Sequence, residues 1–141
     1  MQNYLKKLEM FNKYFHWLKP EAIEQSRFVL HLEKNWYTYT AIPNSTYTKW
    51  WKQKIINMIT WLKPWLCDML VVLKRGSLLF IEMKLPRKVL KNGSLWASPS
   101  TVSEEQKKWI EILGNIDNVM AEISYGCDHA IELVDQYEKI E

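Results

Sequence analysis

Three charged side chains interrupt two otherwise apolar stretches in the middle of the chain, and their types suit a metal-dependent hydrolytic site. Asp68 lies in the first stretch, 67–73, and Glu82 and Lys84 lie in the second, 77–84. Carboxylates supply the oxygen ligands that Mg²⁺ prefers, and a lysine beside a cation can hold or deprotonate a water. These residues suggest a site for a divalent cation if the fold brings them together.

A β-hairpin is the element that would position them. The loop 74–76 ends in Gly76, and a three-residue hairpin loop of this kind favours a type I turn with the glycine left-handed. Counting back from that turn sets Asp68 opposite Glu82, with Cβ atoms about 4.5–5.5 Å apart. Glu82 and Lys84 share one face of their strand, because side chains two apart point the same way. Two carboxylates this close are costly unless a cation bridges them.

The composition is that of an ordinary globular domain. The 141 residues are 48% hydrophobic and 25% charged, which suits a single domain, 1–141, with a helical extension at 1–19 and a core at 20–141. The net charge is only +3, so nucleic-acid binding would depend on local clusters. Cys67 and Cys127 form no disulfide framework, and we expect both to be buried thiols.

The chain also lacks the marks of a membrane or secreted protein. No apolar run approaches the roughly 20 residues of a membrane span, and charges interrupt the N-terminal segment throughout. We therefore expect a cytoplasmic, intracellular protein, compatible with a phage or mobile-element origin, with no membrane partner and no small-molecule cofactor.

Apolar periodicity and turn residues predict the order α-α-β-α-β-β-α-β-α. Helices are expected at 1–19, 20–34, 46–63, 103–113 and after Gly126, and strands at 36–42, 67–73, 77–84 and 119–123. This order favours an α/β (α+β) fold with a small central mixed sheet, antiparallel first strands and helices on both faces. The long irregular segment 86–102 is of a length that is usually functional or disordered.

The same order carries a resemblance to a known family. A helix Glu, a strand Asp, Glu-x-Lys and a helix opening with Ser-x-x-Gln resemble the PD-(D/E)XK nuclease superfamily, most closely VRR-NUC domains and archaeal Holliday junction resolvases. The resemblance covers about 21–137 and is carried by Glu24, Pro43-Asn44, Asp68, Glu82-Met83-Lys84, 103–109 and Gly114. These families often place a proline directly before the metal-binding Asp, whereas Pro64 lies three residues further upstream.

The resemblance implies a restriction-endonuclease-like core that binds Mg²⁺ or Mn²⁺. The implied metal ligands are the carboxylates of Asp68, Glu82 and Glu24 and the backbone carbonyl of Met83. Lys84 would hold or deprotonate the attacking water, or neutralise developing charge. Gln106 would orient Lys84 or a phosphate, although it also suits the capping box of its helix. Glu21 takes the place of Glu24 if the helix is rotated.

Two basic clusters are candidates for DNA contact. Asn44, Lys49, Lys52 and Lys54 form the first, and Arg87, Lys88 and Lys91 form the second. Their contacts would depend on salt and would be largely independent of sequence. Trp96 would either stack on an exposed base or anchor its loop by hydrophobic contact.

These features predict an Mg²⁺-dependent DNA endonuclease that is structure-selective, acting on branched or junction DNA, or that nicks. One site per chain and a duplex substrate suggest a homodimer, with the first helix as an interface element. One alternative is a homing-type or restriction-type endonuclease that reads a defined sequence. The other is a non-catalytic nucleic-acid-binding or inhibitory module on the same fold.

Overall fold

The computed structural model describes residues 2–42, 55 and 67–139. Within these ranges the helices are α1 (Gln2–Tyr14), α2 (Pro20–Lys34), α3 (Glu104–Gly114) and α4 (Cys127–Glu138). The strands are β1 (Thr38–Ala41), β2 (Met69–Val72), β3 (Leu78–Lys84) and β4 (Val119–Tyr125). The predicted helix 46–63 lies outside the described residues. No helix of the described part is long and apolar enough to cross a membrane.

The four strands form one mixed sheet in the order β1-β2-β3-β4. The first three run antiparallel, and β4 lies parallel to β3. A parallel neighbour requires a crossover, which α3 supplies between β3 and β4. The predicted fold class, a small mixed sheet with antiparallel first strands, is therefore confirmed.

The central hairpin has the predicted register. Leu70 pairs with Phe80 and Val72 with Leu78, and the Leu73 amide donates to the Ser77 carbonyl over 2.8 Å. Gly76 has a φ of 95° at the end of the loop, the left-handed conformation that the turn requires. Extending the register by one pair sets Asp68 opposite Glu82.

The hydrophobic core lies on one face of the sheet, beneath α2 and α4. Alternate strand residues point the same way, so the odd-numbered side chains of β2 and β3 are buried together. The core comprises Phe28, Leu32, Met69, Val71, Leu73, Leu79, Ile81, Met83, Cys127, Ala130 and Val134. The even-numbered residues of β3, including Glu82 and Lys84, therefore face the opposite side.

Helix α3 reaches that opposite side with its first turn. Gln106, in this turn, donates a hydrogen bond to Glu82, so helices contact both faces of the sheet. Ser103 and Gln106 form the predicted capping box: the Gln106 amide donates to the Ser103 hydroxyl over 3.2 Å, and the Ser103 amide donates to the Gln106 side chain over 3.0 Å. The cap thus determines where Gln106 lies relative to β3.

Element boundaries differ from the prediction at three places. Helix α1 ends at Tyr14, a 3₁₀ turn (Phe15–Trp17) follows, and α1 has no buried residue, so this extension is more exposed than its apolar spacing suggests. Strand β1 begins only at Thr38, because Trp36 has a φ of 62° where the chain reverses after α2. Strand β4 extends to Tyr125, since its parallel pairing with β3 continues to Lys84.

Candidate active site

Asp68 and Glu82 are neighbours across the end of the hairpin. The Asp68 carbonyl accepts from the Ile42 amide over 2.8 Å, and the Lys84 carbonyl accepts from the Gly126 amide over 2.9 Å. The backbones of Asp68 and Glu82 therefore face away from each other, towards β1 and β4. They form a non-hydrogen-bonded pair, the kind in which opposed side chains lie closest. The two carboxylates meet as the sequence predicted.

Met83 brings a backbone group to the same place. Its amide donates to the Asp68 Oδ2 over 2.9 Å, so the side chain of Asp68 closes the end of the hairpin. In a strand, the amide and the carbonyl of one residue face the same neighbour. The Met83 carbonyl is therefore directed to the Asp68 side of β3, which keeps it available as the predicted third oxygen ligand.

Glu82 is a buried carboxylate with one oxygen engaged. Its side chain is only 4% exposed, and its Oε1 accepts from the Gln106 Nε2 over 2.5 Å and lies 3.3 Å from the Lys84 Nζ. Its Oε2 is buried and has no hydrogen-bond partner among the described residues. Burial, and then the charge of Asp68, raises the pKa of Glu82 to about 7 despite the opposing effect of Lys84.

Lys84 supplies a positive charge next to this carboxylate. It is 8% exposed, and Glu82 is its ion-pair partner among the described residues. A lysine this buried, within reach of a bound anion, contributes a charge that water screens little. Lys84 therefore lies where the sequence predicted it, on the same face of β3 as Glu82.

Gln106 makes two contacts at once. Its Oε1 accepts from the Ser103 amide while its Nε2 donates to Glu82, so the capping role and the site role are not alternatives. It contacts the carboxylate, whereas the predicted target was Lys84 or a phosphate. The capping box therefore positions Gln106, and Gln106 in turn positions the Glu82 carboxylate.

Glu24 is placed differently from the prediction. Its Oε2 accepts from the Cys127 amide over 2.7 Å at the start of α4, and it lies 3.6 Å from Arg27. Backbone amides at a helix N-terminus are good partners for a carboxylate, so Glu24 joins α2 to α4. It is Glu21 whose negative charge contributes to the raised pKa of Glu82.

Glu21 also shares a surface cavity of about 440 Å³ with Asp68, Met83 and Leu85. Its Oε1 accepts from the Ser100 hydroxyl over 2.5 Å. We therefore replace Glu24 by Glu21 as the helix carboxylate of the candidate site. The physical reason is the rotation of α2 about its axis, which turns Glu24 towards α4.

The donor set fits a hard divalent cation that keeps most of its waters. Asp68 and Glu82 provide two carboxylates, and the buried Glu82 Oε2 is an oxygen that a cation would satisfy. In the described ranges, no group of three or more His, Cys, Asp or Glu side chains could hold a metal ion. Mg²⁺ is commonly bound through one or two carboxylates and waters, so this count suits Mg²⁺ better than Zn²⁺.

The predicted DNA-contact residues divide between the described and undescribed parts. Arg87, Lys88, Lys91 and Trp96 are all exposed, on the segment that leaves β3 beside the site. The first cluster, Asn44, Lys49, Lys52 and Lys54, lies outside the described residues. The structure therefore describes the position of the second cluster relative to the site.

Sequence reasoning missed the residues that fix this segment. Leu85 donates its amide to the Ser100 hydroxyl over 2.9 Å, and its carbonyl accepts from the Ser98 hydroxyl over 2.6 Å. It also missed Tyr125, which pairs with Lys84 in the β3–β4 register. If the prediction for β4 had been two residues longer, it would have placed Tyr125 beside Lys84. No local sequence pattern marks Ser98 and Ser100.

Comparison with protein-family models, with curated proteins and with solved structures gives no match for this chain.

Proposed function

We propose that the protein is a metal-dependent endonuclease that hydrolyses DNA phosphodiester bonds. The observation that carries this proposal is the buried Glu82 carboxylate, which lies opposite Asp68 and whose Oε2 has no hydrogen-bond partner among the described residues. A fold that buries this arrangement accepts a loss of stability, which indicates a function.

Asp68, Glu82 and the Met83 carbonyl would hold the cation, with Glu21 joining through water. When bound, Mg²⁺ or Mn²⁺ supplies positive charge to the scissile phosphate and acidifies a nearby water. Lys84 then presents its ammonium group to the phosphate oxygens or holds the attacking water. Gln106 holds the Glu82 carboxylate through Oε1, which would leave Oε2 to bind the cation.

The distribution of charge supports a polyanionic substrate. Arg87, Lys88 and Lys91 follow the site within a segment, 86–102, that contains no acidic residue. Lysines and arginines beside a hydrolytic site bind phosphates through counterion release, without reading sequence. This arrangement favours a structure-selective or nicking nuclease over a homing-type or restriction-type enzyme.

We also propose that the protein acts as a homodimer when it cuts both strands, because the described residues of one chain form one such site. The exposed apolar side chains of Leu5, Met10 and Phe15 on the N-terminal extension would form part of the interface. Sedimentation at high protein and DNA concentration tests this, and a monomer under those conditions contradicts it.

The proposed activity is tested with supercoiled, single-stranded and branched DNA in the presence of Mg²⁺. We expect the wild-type protein to cleave at least one of these, and Glu82→Ala and Lys84→Ala to abolish cleavage. Unchanged activity in both variants would refute the mechanism. Binding without cleavage on every substrate would instead favour the non-catalytic module.

A further inference from the structure

The segment that follows β3 forms a groove beside the proposed active site. Two adjoining cavities, of about 460 and 570 Å³, share Arg87, Leu95 and Tyr125 in their walls. Tyr125 pairs with Lys84 in the β3–β4 register, so the groove begins where the active strand ends. A strand of nucleic acid that leaves the site would pass along this groove.

Arg87 is held in a fixed orientation at the centre of the groove. Its guanidinium carbon lies 4.3 Å from the centroid of the Tyr125 ring. Tyr125 in turn stacks on His129, with the ring planes 9° apart, and its amide donates to the His129 Nδ1 over 2.9 Å. Arg87 has no ion-pair partner within 4.0 Å among the described residues, so its planar donor groups can pair with a phosphate.

Trp96 lines the larger of the two cavities with its aromatic ring. It is 61% exposed, so it does not anchor its loop by hydrophobic contact. The hydroxyls of Ser98 and Ser100 anchor the loop to Leu85 instead. The Trp96 amide donates to the Lys88 carbonyl over 2.7 Å, which fixes the backbone that carries the ring. An exposed, positioned indole suits stacking on a base.

The charge of the segment identifies the kind of occupant. The walls of the two cavities contain the basic residues Arg87 and Lys107 and the acidic residue Glu132. The segment 86–102 adds Lys88 and Lys91 and contains no acidic residue. A second copy of the chain would bring the same positive surface against itself, whereas a phosphate backbone complements it. In a continuous duplex both faces of each base are covered by its neighbours, so stacking on Trp96 requires an unpaired base.

We propose that this groove binds an unpaired nucleotide next to the cleaved phosphate, with Trp96 stacked on the base and Arg87 paired with its phosphate. The inference rests on the proposed nuclease function and names its substrate class: DNA with a single-stranded portion at the site of cleavage. Fully paired duplex lacks the base that the groove binds.

The test compares a fully paired duplex with the same duplex carrying a single-stranded tail, labelled with 2-aminopurine at the junction. Binding is measured in EDTA, where cleavage does not interfere, and cleavage is measured with Mg²⁺. We expect the wild type to quench the 2-aminopurine, and Trp96→Ala to remove the quenching and weaken tail binding roughly 5- to 100-fold. Binding of the paired duplex should change less than twofold.

One variant serves as a control and a second variant tests the role of Arg87. Trp17→Ala removes a tryptophan that is 74% exposed on the N-terminal extension, and it should leave both substrates unaffected. Arg87→Lys keeps the charge but loses the planar guanidinium, so it should weaken tail binding while leaving duplex binding intact. Circular dichroism of each variant confirms that the fold is retained.

The outcomes separate this inference from the proposed function. If Trp96→Ala affects both substrates equally, or affects neither, the groove inference is wrong. In that case, cleavage that depends on Glu82 would still support the nuclease function. Quenching that depends on Trp96, in a protein that cleaves none of the DNAs, would uphold nucleotide binding by the groove and overturn the nuclease.

Discussion

Glu82→Gln is the substitution that best distinguishes a metal site from a structural ion pair. Burial, and then the charge of Asp68, raises the pKa of Glu82 from 4.5 to about 7. Between these two pH values, the Glu82 side chain is therefore protonated in the folded protein and ionised in the unfolded chain. It follows that the Glu82 contribution to the free energy of unfolding decreases as pH rises from about 4.5 to about 7, and is then constant.

The size of the effect follows from the same pKa. Each tenfold change in an equilibrium constant corresponds to about 1.4 kcal/mol, so ionised Glu82 destabilises the metal-free fold by about 3 kcal/mol above pH 7. Glutamine has the same shape, remains neutral, and still accepts from Gln106 and Lys84. In EDTA at pH 8, we expect Glu82→Gln to raise the free energy of unfolding by about 3 kcal/mol, or roughly 10 °C in Tm.

The assay is thermal or urea unfolding at pH 4.5 and at pH 8, each with EDTA and with Mg²⁺. At pH 4.5 the two proteins should be equally stable. At a concentration ten times its dissociation constant, Mg²⁺ should stabilise the wild type by about 1.4 kcal/mol at pH 8 and have little effect on the variant. Glu111→Gln, at an exposed position of α3, is the matched control and should change stability by less than about 0.5 kcal/mol.

A variant that is less stable than the wild type at pH 8 in EDTA would refute this reasoning, because Glu82 would then be a stabilising partner of Lys84. An equal response of both proteins to Mg²⁺ would show that the cation binds elsewhere.

Four further predictions concern residues of the central hairpin and of α2. Lys84→Met should lower the cleavage rate about 10²- to 10⁴-fold in a steady-state assay, while the DNA affinity measured in EDTA changes by no more than a few-fold. Cleavage at the wild-type rate would remove Lys84 from the mechanism. Glu24→Gln should lower the free energy of unfolding by about 1 kcal/mol, because Glu24 binds the start of α4, and should leave Mg²⁺ affinity unchanged. Glu21→Gln should leave the free energy of unfolding unchanged and weaken Mg²⁺ binding in the same unfolding experiments and Mg²⁺ titrations. If instead Glu24→Gln weakens Mg²⁺ binding and Glu21→Gln does not, Glu24 belongs to the site. Gly76→Ala should lower the free energy of unfolding by about 1 kcal/mol, because the φ of 95° is strained for alanine. No atom lies within 4 Å of an added Cβ, so the effect comes from the backbone conformation alone. Unchanged urea unfolding would contradict that turn.

The features that sequence reasoning predicted correctly depend on neighbours along the chain. Gly76 at the end of a three-residue loop determines the turn, the turn determines the register, and the register places Asp68 opposite Glu82. The Ser103–Gln106 capping box is likewise a local pattern, and it formed as predicted. Both follow from backbone geometry over a few residues, which is the range where sequence rules are strongest.

The features that sequence reasoning did not predict depend on how elements pack. Glu21 and Glu24 are three residues apart and lie on overlapping sides of α2, so only its packing against α4 determines which one faces Asp68. The loop that carries the exposed Trp96 is likewise attached to β3 by contacts distant in the chain, because Ser98 and Ser100 bind Leu85.

The carboxylate pair, its lysine and the sheet that carries them follow from the sequence, because strand alternation and turn chemistry are local. Packing between elements places Glu21, and not Glu24, in the cavity beside Asp68 and leaves Trp96 exposed. Those outcomes are set by side-chain contacts between elements distant in the chain, and no periodicity in the sequence encodes them.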